Sequence, residues 1–187
     1  MLSLQRMKTS PYILLALHFL VGCAAPEVSY VPAEQKLYRS VKEDLRNASV
    51  LDIEATNRIF GFTPESVETV VQPKSGLPLL EGQRVRMAKI PEDIEPGTVD
   101  FYVVTVWRDN MKRAILSFRI RKDICLTLET ANAIFPDLKR ASVQPTDFGL
   151  VEYVVFAKDS RAMLAFDRHR DCLETIQISG DVPAPKR

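Results

Sequence analysis

Two periodicities alternate along this chain. From Gln35 to Asn47 the apolar residues Leu37, Tyr38, Val41 and Leu45 recur at helical spacing, while Lys36, Arg39, Lys42, Glu43, Asp44 and Arg46 fill the other positions. That pattern predicts an amphipathic helix whose apolar stripe packs on the domain. Two shorter helices are expected after Asp52 and after Thr127, each an N-cap residue type ahead of an apolar-periodic stretch. Elsewhere β-branched and aromatic residues dominate and predict strands. These fall at Val67–Gln72, Arg84–Lys89, Val99–Arg108, Lys112–Arg121 and a short Ile124–Leu126, then at Leu138–Gln144, Leu150–Ala157, Arg161–Asp167 and Cys172–Ser179. Asp159-Ser160 is the expected turn of one hairpin. Pro73, Gly76, Pro78 and Gly82 punctuate one long connection, and Pro91, Pro96 and Gly97 another.

The pattern repeats. Leu51-Asp52-Ile53-Glu54-Ala55-Thr56-Asn57-Arg58-Ile59-Phe60 aligns with Leu126-Thr127-Leu128-Glu129-Thr130-Ala131-Asn132-Ala133-Ile134-Phe135. Val99 to Val104 aligns with Val151 to Phe156, Ala114 to Phe118 with Ala162 to Phe166, and Asp123 to Leu126 with Asp171 to Leu173, one residue short. The blocks keep one order in both halves, which chance similarity explains poorly. The expected fold is therefore α+β: two tandem repeats of a short helix followed by an antiparallel β-meander, with an extra N-terminal helix. Residues 35–98 hold that helix and the first part of repeat 1, 99–125 its hairpin end, and 126–179 repeat 2. A tail at 180–187 is expected to be disordered.

The first 34 residues follow a different logic. Basic Arg6 and Lys8 precede an apolar run that ends in Leu20-Val21-Gly22-Cys23, the layout of an export signal. Ile13 to Val21 is about half the ~20 residues that cross a bilayer. Leu20-Val21-Gly22-Cys23 resembles the lipobox of bacterial lipoproteins. The resemblance implies removal of 1–22, a diacylglyceryl thioether on Cys23 and an acylated new amino group. It also implies a membrane anchor at the cell envelope, with Ala24 in place of Asp favouring the outer membrane, facing the periplasm. Either Met1 or Met7 serves as a start. Residues 23–34, with Pro26 and Pro32, read as a short lipidated tether.

Composition narrows the partners. The precursor carries a net charge of +1, and losing Arg6 and Lys8 leaves 23 basic against 24 acidic residues. Such a balance gives no basis for a nucleic-acid partner. The short basic clusters Arg119, Arg121, Lys122 and Arg168-His169-Arg170 read as solvated strand ends. Apart from Cys23, the cysteines are Cys125 and Cys172. In an oxidising compartment they are candidates for a disulfide closing a loop of about 48 residues, worth ~4 kcal/mol by the loop-entropy model. The alternative is two buried thiols acting as small hydrophobes.

A search for catalytic chemistry yields no candidate residue. His169, between Asp167-Arg168 and Arg170-Asp171, is the one histidine beyond the signal and reads as an exposed turn residue. There is no Gly-x-Ser-x-Gly, no phosphate-binding glycine loop and no His/Cys/Asp/Glu set at metal-ligand spacing. No cofactor and no metal are expected. Surface for partners is left. The tip Val106 to Arg113 is longer than its counterpart in repeat 2 and carries Trp107, Arg108, Met111 and Lys112, with Trp and Arg the types enriched at binding hot spots. The sequence thus predicts a lipid-anchored envelope protein that is not an enzyme, a scaffold, adaptor or assembly subunit with an envelope protein partner. The alternatives are an inhibitor or chaperone of a periplasmic enzyme, and a small-molecule or lipid carrier needing a cavity of ~300 Å³ or more.

Overall fold

In residues 33–72, 80–106, 111–141 and 149–183, which the computed structural model describes, three helices cover one face of an antiparallel sheet. Helix α1 is Ala33–Asn47, followed by a 3-10 turn at Ser49–Leu51 and by α2, Ile53–Phe60. Strands β1 (Thr63–Gln72), β2 (Leu80–Lys89), β3 (Asp100–Val106) and β4 (Met111–Arg119) follow. The second half is α3 (Leu128–Ile134) and strands β5 (Lys139–Arg140), β6 (Leu150–Phe156), β7 (Ser160–Asp167) and β8 (Leu173–Pro183). The fold is α+β.

Local chemistry sets the helix ends. Ala48 adopts a left-handed conformation, φ 50°, and stops α1. The Asp52 carboxylate caps α2 by accepting from the amides of Glu54 and Ala55, and Gly61 at φ 71° closes its C-terminus. Thr127 Oγ1 caps α3 by accepting from the Thr130 amide. Both caps are at the positions expected from the sequence. Pro136 follows α3, and a residue preceding proline is driven out of the helical region.

The sheet order is β1-β2-β3-β4-β8-β7-β6-β5. Two meanders, β1 to β4 and β5 to β8, join where β4 pairs antiparallel with β8 over nine residue pairs, Met111 with Pro183 through Arg119 with Thr175. One cross-strand row, Val67–Val85–Phe101–Leu116–Ile178–Ala162–Val155, faces the helices. It is buried from Val85 to Val155. Tyr38 and Val41 of α1, Val50, Phe60 and Phe135 close over it, with Phe60 stacked on Phe62 and both edge-on to Phe118. Full burial of aromatics this size stabilises by roughly 1.5–3 kcal/mol each.

The row on the opposite face reads Glu68–Arg84–Tyr102–Ile115–Ser179–Arg161–Phe156. No described element packs over it. The two sheet edges also differ. β5 is two exposed basic residues long, a length that gives a foreign strand little to pair with, whereas β1 is a ten-residue edge strand.

The strands run close to where the alternation placed them. β1 begins four residues earlier than expected, at Thr63, β2 begins at Leu80 and so includes Gly82, and β5 is Lys139–Arg140 within the expected Leu138–Gln144. Three further readings change. Ile124–Leu126 is not a strand: Ile120 and Thr127 make isolated bridges on either side of it, to Ile94 and Cys172. Residues 180–183, expected in a disordered tail, complete β8, because Gly180 to Pro183 find open partners on the first half of β4. Asp44, expected on the polar face of α1, is fully buried. It lies three residues after Val41 and seven after Leu37, on the apolar stripe itself.

The matched sequence blocks fold alike within themselves. Phe101 faces Leu116 as Tyr153 faces Leu164, and Ala114, Leu116, Phe118 and Ala162, Leu164, Phe166 are all buried. The blocks equate β3 with β6 and β4 with β7. Counting strands after each helix instead equates β4 with β8. The two alignments differ by one strand.

Candidate functional site

The uncovered sheet face is the surface best suited to bind something. On it, Phe156 is 63% exposed and Ile115 45%, whereas the core-facing row is buried except at Val67 on the edge strand, which is 47% exposed. Half-buried Tyr102, Val104, Val154 and Met163 lie around them. The charged residues of this face are largely paired among themselves. Arg84 meets Asp100 at 3.1 Å and lies over the Tyr102 ring at 5.1 Å. Arg86 meets Glu68 at 3.0 Å and Arg113 meets Asp181 at 2.8 Å. Arg161 donates to Ser179 Oγ at 3.1 Å. Exposed pairs of this kind contribute little stability. Their effect is to neutralise the face in place, leaving aromatic and aliphatic ground between guanidinium groups, the composition typical of binding surfaces. A shallow depression of about 320 Å³, walled by Val154, Phe156, Arg161, Met163, Gln177 and Ser179, sits beside β6.

A second feature lies where β4 ends and β8 begins. Arg119, Arg121, Lys122 and Arg170 line a cleft of about 270 Å³ with Glu95 and Glu174. The fold thus brings the two short basic clusters of the sequence together. Internal carboxylates answer half of that charge: Arg170 pairs with Glu174 at 2.9 Å, and Arg121 forks onto both oxygens of Asp123 at 3.0 and 2.6 Å. That ion pair holds the Asp123 carboxyl below its usual range. On β7, the amides of Arg170 and His169 donate to Asp167 Oδ1, both at 2.8 Å, and likewise depress its pKa. His169 is exposed in that turn.

Cys125 and Cys172 are disulfide-bonded, with Cα atoms 4.9 Å apart. The pairing is local. The segment after β4 turns back beside the start of β8, Thr127 bridging to Cys172 and Leu173 donating to the Leu126 carbonyl at 2.9 Å. Of the expected hairpin residues, Met111 and Lys112 open β4, half-buried, with Pro183 and Val182 opposite them. They stand at the end of β4 far from the disulfide. Trp107, Arg108 and Cys23, the expected lipidation site, lie outside the described residues.

The sequence reading missed Phe156 and Ile115. The signal was present in β4, where Arg113, Ile115, Ser117 and Arg119 alternate with buried Ala114, Leu116 and Phe118, so that Ile115 is an apolar residue on a polar face. Among the described residues no group of His, Cys, Asp and Glu is arranged to hold a metal ion, and no helix is long and apolar enough to cross a membrane. No family model, no curated protein and no solved structure matches the chain.

Proposed function

We propose that this is a lipid-anchored protein of the bacterial envelope that binds another envelope protein through the open face of its sheet. The observation that carries the reading is the pair of exposed apolar side chains, Phe156 and Ile115, on a face whose charges are largely paired among themselves. Acylated Cys23 would confine the domain to a membrane surface and raise its local concentration toward membrane partners. Trp107 and Arg108, between β3 and β4 in the sequence, supply further residue types of the hot-spot kind for that partner. Of the alternatives, an inhibitor would use this same surface on a soluble enzyme. A carrier is less well supported, because Tyr38, Phe101, Phe118 and Phe166 fill the space between helices and sheet and the clefts are open at the surface. The role is that of a scaffold or adaptor, without a catalytic step.

We also propose that the two helix-plus-meander halves descend from one duplicated unit. The shared hairpin registers and the matched caps Asp52 and Thr127 support it; the one-strand offset between the two alignments implies that a strand was lost or gained afterwards. The binding reading is tested by introducing Ile115→Asp together with Phe156→Asp. Co-purification of one recurrent envelope protein with the wild type and its loss with the variant, at unchanged thermal stability, is the expected result. Retention of that protein by the variant excludes the face. Cys23→Ser tests the anchor: the protein should move to the soluble fraction, and continued membrane retention would sink that part of the account.

A further inference from the structure

Asp44 is fully buried on the apolar stripe of α1, and its surroundings fix where a proton must be. Val50, in the 3-10 turn, donates its amide to Asp44 Oδ1 at 3.2 Å. On the other oxygen, Oδ2 lies 3.4 Å from Thr56 Oγ1 in α2. The Thr56 hydroxyl has one proton, and its shorter contact, 2.7 Å to the Ser49 carbonyl, takes it. Asp44 Oδ2 therefore faces an oxygen lone pair. The contact is favourable only when the carboxyl is protonated and donates, giving the chain Asp44 O–H to Thr56 O–H to Ser49 carbonyl. An ionised Asp44 would set a buried negative charge against that lone pair with one amide to solvate it, an arrangement that costs several kcal/mol in a protein interior.

Among the described residues no cation relieves the charge. The 3-10 turn carries no charged residue. Glu54 and Arg58 of α2, Glu129 of α3, Arg161 of β7, and Lys42, Glu43 and Arg46 of α1 itself are all exposed, and Asp167 of β7 is engaged by its own turn. None of them touches Asp44, whose hydrogen-bond partners among the described residues are Val50 and Thr56.

We propose that Asp44 is a pH-responsive latch: protonated, it fastens α1 to the 3-10 turn and α2, and on losing its proton it loosens that packing. Burial raises its pKa from 3.8 to about 7, against the smaller opposing pull of the Val50 amide hydrogen bond. The sign follows from linkage. A group whose folded pKa is raised contributes its full stability below the unfolded value of 3.8, and that contribution is lost as pH rises through about 7. The elements it releases are those that roof the core: Val50 packs over β8, and Ser160 of β7 donates to the Leu45 carbonyl of α1 at 2.9 Å.

The direct test is a carboxyl-carbon NMR titration of Asp44 in the purified protein, with native-state hydrogen exchange at the Val50 amide measured in parallel. The latch predicts a titration midpoint near 7. It also predicts that Val50 protection, corrected for intrinsic exchange, falls up to about tenfold per pH unit as the proton leaves. Asp44→Asn, which keeps an acceptor for Val50 and a donor for Thr56 Oγ1, should hold that protection constant across the same range. A wild-type midpoint at or below the ordinary aspartate value overturns the proposal even where the variant does not fold. A Val50 protection that ignores pH overturns it as well.

Discussion

Val50 rests directly on Gly180: a Cβ built on the glycine would lie 2.8 Å from Val50 Cγ1 and 3.1 Å from Leu51 Cγ. The 3-10 turn between α1 and α2 is seated on the second half of β8, where the absence of a side chain at Gly180 leaves room for it. Gly180→Ala should therefore destabilise by about 1–3 kcal/mol through overpacking. Val50→Ala in the same chain should recover part of that loss, since it removes the methyl that the new Cβ meets. Urea unfolding of the two single variants and the double variant measures the coupling; additive losses would show that the two residues are not in contact.

The disulfide should be a large contributor to stability. Its cysteines are 47 positions apart; the loop-entropy model gives ~4 kcal/mol for that length, and disulfides typically deliver about 2–4 kcal/mol. The Cys125→Ser, Cys172→Ser double variant should lose that amount while keeping the fold, because the Thr127–Cys172 bridge and the Leu173 to Leu126 hydrogen bond are backbone contacts that survive the change. Thermal unfolding of the variant beside the oxidised wild type reads the difference. Equal stabilities would refute the estimate.

Acid should act through different residues from alkali. The Asp167 carboxylate is held by two amides and Asp123 by the Arg121 fork, and both pKa values are depressed below 3.8. Depressed carboxyls contribute stability above the unfolded pKa and lose it as pH falls through the folded one. Stability should therefore decline below about pH 4, and Asp167→Ala should flatten that acid limb. It should leave untouched the fall expected from Asp44 between about pH 4 and 7. Denaturation profiles against pH separate the two limbs.

The helix caps offer a check on reading local structure from sequence. Asp52→Ala removes the acceptor of two amides and Thr127→Ala that of one. Each should cost about 0.5–2 kcal/mol, the first more than the second. Equal losses would mean that the second amide bond to Asp52 contributes nothing.

These caps were legible because capping is local: a Ser, Thr, Asp or Asn before an apolar period is visible in a few residues. The strands were legible for the same reason, through alternation such as Ala114, Leu116 and Phe118 against Arg113, Ile115 and Arg119. What alternation does not contain is neighbour order. Nothing in the residues of β4 says that β8, not β5, lies beside it, so the joining of the two meanders had to come from the structure. The same holds for residues 180–183, whose polar, proline-containing sequence reads as tail until β4 offers them open hydrogen-bonding partners. Asp44 was misread because residue type was allowed to outweigh position on the helix. The open face was missed because one or two apolar residues on the polar side of a strand look unremarkable until β3, β4, β6 and β7 are seen in one sheet.

The central claim is that the open sheet face, and not the helical layer, meets the partner. Photo-crosslinking in intact cells tests it most directly, with a photoreactive amino acid placed at Phe156 or Ile115 on the open face or at Arg58 on the exposed side of α2. The account predicts one discrete adduct from positions 156 and 115, of the same partner, and none from position 58. An adduct from position 58 alone, or none from either sheet position while the protein is folded and at the membrane, would contradict it.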